Sequence, residues 1–472
     1  MTSENLHKLK TVYGKSIFLL GILLIWGCGK TVETVSAEDN VSLQPVEAEE
    51  VMGDNGAEAE KAEENLGPEI VEKEDPGNLQ PEENLKEQER PKVRGIFVTG
   101  PMAGTDNMEN LIDLVDRTEL NAMVIDIKND EGRVTYNMEI PSVQDAGSYR
   151  RYIRDMEALI RKCKEKDIYL IARIVAFKDP YMEQAKPEWC IHNKDGSLFK
   201  DKDGMTWLDP HNKQVWEYLL DIATEALDIG FDEIQFDYMR FSTDSGMENV
   251  DFVQKEAEED RRQIITDFVK FASDIIHESG GAISADVYGV VIDSERDQKI
   301  VGQDYVELSK YLDYISPMVY PSHYGPYNYN IPVPDAEPYR LVLTAMQASR
   351  KVMAGVDALQ EVNNLESGNL DAESIVTANT VSGNMQTEDM TENEEEEYSM
   401  EDLAALEPMD GVKAQVRPWL QDFTATWVKG HISYGADEIR AQIQGVYDAG
   451  YEEWILWNAS NRYTEEGLMK DE

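Results

Sequence analysis

Hydrophobic and polar positions give the chain a clear rhythm between residue 93 and about residue 465. Short β-branched or aromatic runs alternate with amphipathic stretches of helical length, the pattern of βα units. It predicts strands at Val93–Thr99, Met123–Lys128, Ile168–Phe177, Glu233–Phe241, Ile283–Tyr288, Tyr314–Tyr320, Gln415–Phe423 and Glu453–Asn458. Helices are predicted near 106–119, 149–166, 213–229, 250–278, 303–311, 338–353 and 437–449. Eight strands with seven intervening helices predict an α/β fold of the (β/α)8 TIM-barrel type over 93–465, since an open doubly wound sheet usually has about five or six strands. Thr99-Gly100-Pro101 after the first strand lacks the G-x-G-x-x-G of a phosphate loop.

Outside that rhythm the pattern fails in two acidic stretches. Residues 31–92 hold 19 acidic side chains against 5 basic, and residues 356–410 hold 16 against none. Neither can bury enough apolar area to offset its conformational entropy. They read as a disordered N-terminal stalk and a disordered insertion between strands 6 and 7, a position where long loops are tolerated. The 472-residue chain carries a formal charge of −49, and the remaining barrel sequence is itself acidic. That excludes the dense cationic footprint of a nucleic-acid binder and predicts a soluble, self-repelling monomer.

Residues 1–30 read as a targeting segment. Lys8, Lys10 and Lys15 precede an apolar run from Ile17 to Trp26. As a helix that run would be about 15 Å long, half of the roughly 30 Å hydrocarbon core. It ends in Ile25-Trp26-Gly27-Cys28, which resembles a bacterial lipobox, although Trp26 is unusual there. The expectation is export, with Cys28 as the lipid attachment site and the protein anchored on the outer face of the cytoplasmic membrane. The plainer reading is a signal peptide or uncleaved anchor with an incidental Cys. Cys28, Cys163 and Cys190 form no CxxC pair or zinc spacing.

In such barrels the chemistry sits at the C-terminal strand ends. Reading those ends gives Asp126, Lys128 and Asp130 after strand 2, Arg173 in strand 3, Asp237 and Arg240 on strand 4, and Asp286 with Tyr288 on strand 5. Strands 6 to 8 give Tyr320 and His323, Trp419 and Gln421, and Trp457 and Asn458. Aromatics interleaved with carboxylates are what a sugar cleft needs, because flat rings stack on pyranoses while acids hydrogen-bond hydroxyls. Any single Trp can equally fill the barrel or its helical shell.

The most informative passage is Gly230-Phe231-Asp232-Glu233-Ile234-Gln235-Phe236-Asp237-Tyr238-Met239-Arg240-Phe241. Alternation predicts Gln235, Asp237 and Met239 on one face. A carboxylate among bulky apolar residues is costly to bury unless partnered or functional. Arg240, three residues on, is the expected partner holding Asp237 ionised; the structural alternative is an Asp–Arg pair closing the rim.

These passages resemble the putative glycosyl hydrolase domain family of bacterial surface proteins. The matching segments are Val93-Arg94-Gly95-Ile96-Phe97-Val98-Thr99, Val124-Ile125-Asp126-Ile127-Lys128-Asn129-Asp130, Ile171-Ala172-Arg173-Ile174-Val175-Ala176-Phe177-Lys178-Asp179, the strand-4 passage, Ser284-Ala285-Asp286-Val287-Tyr288-Gly289 and Ser316-Pro317-Met318-Val319-Tyr320-Pro321. The resemblance implies a carbohydrate-active barrel. More distantly, strand 4 is similar to the chitinase D-x-D-x-E pattern, with Met239 at the position of the catalytic Glu and Gln235 at that of an inner Asp. A thioether donates no proton, so that substrate-assisted mechanism does not transfer.

The expectation is a two-carboxylate glycoside hydrolase or transglycosylase acting on an extracellular or cell-wall polysaccharide. Asp237 would be nucleophile or transition-state stabiliser and Asp286 general acid/base. Asp126, Lys128, Arg173, Arg240, Tyr288, Tyr320, Trp419 and Trp457 would contact the sugar. The alternative is a non-catalytic, lectin-like barrel, and the discriminating observation is whether Asp237 and Asp286 face one cleft. No cofactor and no metal are expected. The six histidines form no HxH or HExxH pair, and Lys128 and Arg240 would intrude on a cation held by the three aspartates. No G-x-S-x-G elbow supports a serine triad.

Overall fold

The computed structural model describes residues 90–252, 260–356, 399, 402–403 and 405–469. The expected targeting segment with Cys28, the expected stalk up to residue 89, and residues 357–398 of the expected insertion lie outside the described residues.

Eight parallel strands form the barrel: β1 (Arg94–Val98), β2 (Ala122–Lys128), β3 (Tyr169–Val175), β4 (Glu233–Asp237), β5 (Ala282–Tyr288), β6 (Tyr314–Met318), β7 (Trp419–Gln421) and β8 (Trp454–Trp457). Each pairs with the next, and β8 pairs with β1 through Arg94↔Trp454 and Ile96↔Leu456, which closes the cylinder. β2 and β3 are buried along their whole length, as expected of strands covered on both faces. Odd and even positions fill different layers. Ile96, Ile125, Ile174 and Ile234 belong to the outer apolar layer, while Val93, Phe97, Val124, Ile171, Trp419 and Ile455 form a separate inner cluster.

Helices α1 (Met108–Asp116), α2 (Met156–Lys164), α3 (Lys213–Asp228), α4 (Arg261–Glu278), α5 (Tyr305–Leu308), α6 (Pro338–Met353) and α7 (Ala436–Asp448) occupy the predicted intervals. Four are clearly shorter than predicted, and three of these begin at a visible side-chain cap. Asp155 accepts from Ala158 N at 2.8 Å and so fixes the start of α2. Asp260 caps α4 in the same way through Arg262 N at 2.9 Å. α5 is a single turn, capped by Asp304. α6 and α7 approach closely at Gly445, where a Cβ would meet Tyr339 O at 3.0 Å.

Two strand predictions need correction. Strand 4 was expected to run to Phe241 but stops at Asp237, because Tyr238 takes a left-handed conformation with φ 49°. Strand 7 is split into Gln415–Val416 and Trp419–Gln421. Pro418 lies in the gap, where it has no N–H to give the ladder.

The barrel base is closed by a buried ion cluster. Arg417 donates to Glu233 Oε1 at 3.0 Å and to Glu453 Oε2 at 2.9 Å, and its guanidinium lies 3.7 Å from the centre of the Tyr314 ring. Tyr169 OH adds a donor to Glu233 at 3.1 Å.

Candidate active site

At the opposite end, the strand termini bring three aspartates around one arginine. Arg173, near the end of β3, points into the barrel mouth between β2 and β4. Its Nη1 donates to Asp126 Oδ1 at 2.5 Å, and its Nη2 and Nε donate to Asp237 Oδ2 at 2.5 and 3.1 Å. The same Nε lies 4.0 Å from Asp286 Oδ2 on β5. Asp237 also accepts the main-chain N–H of Tyr238 at 2.6 Å, a bond that the left-handed turn makes possible. Asp286 Oδ1 accepts the indole N–H of Trp419 at 2.6 Å. Asp237 and Asp286 therefore both lie within reach of one guanidinium.

One cation cannot neutralise three buried carboxylates. Burial pushes Asp126 up to about 7, against the pull of Arg173. Asp286 is raised well above the usual carboxylate range, first by burial and then by the nearby charge of Asp237; Arg173 and the Trp419 hydrogen bond pull the other way. Asp126 and Asp286 are thus both raised, while Asp237 receives three converging donors. Two carboxylates held in such unlike surroundings are an arrangement suited to acid/base or nucleophilic chemistry.

Several sequence-expected residues stand elsewhere. Arg240 is not the partner of Asp237. The turn at Tyr238 swings it away, so that its Nη1 bonds the Phe241 carbonyl at 2.8 Å and its guanidinium lies 4.5 Å from the Tyr288 ring centre and 5.0 Å from that of Trp207. Tyr288 is half-buried beneath that cation. Lys128 is fully buried, donating to Val175 O at 2.8 Å and forming an ion pair with Asp179, whose Oδ2 lies 2.8 Å away. A register shift between Asp126 and Lys128 turns it aside, so it ties β2 to β3 and has no surface left for a sugar. Met239, expected on the inner face with Asp237, packs in the outer apolar layer for the same reason as Arg240, so its identity says little about the cleft.

The aromatic residues also divide. Trp419 is 2% exposed and forms the floor, edge-on to Phe97 at 6.3 Å, with its N–H committed to Asp286. Tyr320 is buried, its ring 5.7 Å from that of Trp457, and its hydroxyl is held protonated by burial and by the charges of Asp286 and Asp237. Trp457 is half-buried at the rim. Sequence reasoning missed Asp179, the partner of Lys128, and Phe97, over which Arg173 sits at 5.4 Å. It also missed Phe423 and Trp427, whose only sequence signal is aromatic density just after strand 7.

A closed (β/α)8 barrel whose C-terminal rim gathers carboxylates and aromatic rings defines a barrel of the glycoside-hydrolase type. The chain belongs to the family described as "putative glycosyl hydrolase domain", which matches residues 95–363 and 381–463. Among solved structures it is similar to a hypothetical protein from Ruminiclostridium thermocellum, at 37% identity over 41% of this chain and 97% of that one, with a TM-score of 0.37. It is also similar to the glycoside hydrolase domain of PgaB (BpsB) from Bordetella bronchiseptica, at 11% identity over 78% and 94% of the two chains, with a TM-score of 0.46. A third likeness is the spore cortex-lytic enzyme SleL of Bacillus megaterium, at 12% identity over 80% and 72%, with a TM-score of 0.39. No curated protein matches the chain.

Proposed function

We propose that this barrel cleaves, or transfers across, a glycosidic bond of an extracellular or cell-wall polysaccharide. Asp237 acts as nucleophile or transition-state stabiliser and Asp286 as general acid/base. The observation that carries the reading is the unequal treatment of two carboxylates in one cleft. Asp237 receives two Arg173 donors and a main-chain N–H, whereas Asp286 is desolvated, raised, and held by one indole N–H. In the first step the glycosidic C–O bond breaks as Asp286 passes its proton to the departing oxygen, and the electron-poor anomeric carbon bonds to, or is held beside, a carboxylate oxygen of Asp237. In the second step the oxygen of the incoming water or acceptor hydroxyl bonds to the anomeric carbon and releases Asp237, while the Asp286 carboxylate takes the proton and becomes the acid again. Arg173 fixes Asp237 and Asp126 relative to each other throughout. Asp126, Tyr320 and Trp457 supply contacts to sugar hydroxyls and ring faces.

A glycan panel assayed for both binding and product release tests the assignment. Asp237→Asn and Asp286→Asn are each expected to lower turnover by at least about 10³-fold with binding kept, since each removes a group acting in the transition state. Unchanged turnover in Asp237→Asn would overturn the nucleophile. Binding without product in the wild type would make the barrel a lectin.

We also propose that the chain is exported and tethered through Cys28, on the strength of the basic and apolar N-terminal pattern. Metabolic labelling with a fatty-acid analogue tests this, and label that survives Cys28→Ala would overturn it.

A further inference from the structure

Trp427 is the one exposed tryptophan among the described residues, 48% accessible on the loop between β7 and α7. Its ring lies nearly parallel to Phe423, with centroids 5.9 Å apart and planes at 17°. Phe423 meets Trp457 edge-on at 5.3 Å, and Trp457 lies nearly parallel to Phe97 at 6.4 Å. Phe97 in turn sits beneath Arg173, the cation that holds Asp126 and Asp237. The rings thus form a continuous series from solvent to the carboxylate centre.

The loop that carries the outer end of this series is fixed at several points. Gln421 Nε2 bonds the Phe423 carbonyl at 3.0 Å, Tyr434 N bonds Thr424 Oγ1 at 3.0 Å, and Tyr434 OH reaches the Asp335 carbonyl at 3.1 Å. A flat apolar face held rigid in water loses little conformational freedom when a ligand covers it. On a rim that continues into a carbohydrate cleft, the chemistry that fits such a face is the apolar side of a pyranose ring.

We propose that the Phe423–Trp427 pair is a distal sugar subsite, and that the substrate is therefore a glycan several units long rather than a disaccharide. The proposal rests on the glycoside-hydrolase reading of the cleft, and it adds the substrate's length and the side from which it enters. Stacking at Trp427 engages only those chains that extend beyond Trp457. Short oligosaccharides occupy the carboxylate end alone.

The test uses the full chain against paired di- and hexasaccharides of glucose, galactose, mannose, N-acetylglucosamine and glucosamine, scored for affinity and for product. Wild type is expected to bind at least one hexamer ten-fold or more tightly than its dimer. Trp427→Ala is expected to reduce that preference about ten-fold, and Trp427→Tyr, which keeps a flat ring, to retain most of it. Thermal unfolding of both variants should match wild type, which separates loss of a subsite from loss of the loop. Wild-type turnover with a length preference that ignores Trp427→Ala would overturn the subsite and leave the proposed function standing. An equal loss in Trp427→Tyr would overturn stacking as its cause. Neither binding nor product with any member of the panel would overturn both.

Discussion

The barrel holds a buried arginine at each end, and the two are used in opposite ways. At the base, Arg417 faces two carboxylates, Glu233 and Glu453, inside a closed layer completed by Tyr169 and Tyr314. At the mouth, Arg173 faces three, Asp126, Asp237 and Asp286, beneath a rim of aromatic rings. One more carboxylate, and a mouth in place of a floor, change the chemistry. The basal cluster is a lock of two glutamates on one guanidinium, sealed from water. The upper cluster sets three carboxylates against one guanidinium, and burial raises Asp126 and Asp286 above the ordinary carboxylate range. In a barrel of this kind the base stabilises and the C-terminal face reacts.

The strongest way to break the comparison is to remove the basal cation. Arg417→Met should cost about 3–5 kcal/mol, because two buried glutamates are left uncompensated. Denaturant unfolding measures it, and a loss below about 1 kcal/mol would mean that the base is not a lock. Next in size, Arg173→Lys keeps the charge but loses the fork that spans Asp126 and Asp237. We expect kcat/KM to fall about 100-fold, equivalent to about 2.7 kcal/mol, with a smaller change in stability. Comparable losses of stability in the two variants would erase the distinction between the ends.

A subtler variant is Trp419→Phe, which deletes the indole donor to Asp286. That donor lowers the pKa of Asp286, so its removal should move the alkaline limb of the activity profile to higher pH. Movement to lower pH would mean that the limb belongs to another group. The smallest effect is on the pH dependence of stability. Asp126 is raised from an ordinary value of 3.8 to about 7 in the folded chain, so between those values the folded state keeps a proton that the unfolded state releases. Its contribution is fully present below about pH 4 and is lost as pH rises toward and through 7. Asp126→Asn should flatten the decline of Tm across that window, and an unchanged slope would show that Asp126 is ionised there.

The order and number of strands were legible because the continuously apolar strands of a parallel barrel, set off by amphipathic helices, are written locally, in runs such as Met123–Lys128 and Ile283–Tyr288. The rim carboxylates Asp126, Asp237 and Asp286 were legible for the same reason, each standing at the end of such a run. Their partners were not. Proximity in sequence favoured Arg240 for Asp237, but one left-handed residue, Tyr238, reverses the alternation and sends Met239 and Arg240 outward.

By itself the sequence determined the barrel class, the strand ends at which Asp126, Asp237 and Asp286 stand, and the acidic character of the chain, because these depend on residue types and on spacings within a single βα unit. Only the tertiary structure decided which charges meet. Arg173 reaches Asp237 across 64 residues, Trp419 reaches Asp286 across 133, and Arg417 reaches Glu233 across 184. Barrel closure makes neighbours of strands that are remote along the chain. It commits Lys128 to Asp179 inside the wall and leaves Trp427 in water at the end of a series of rings.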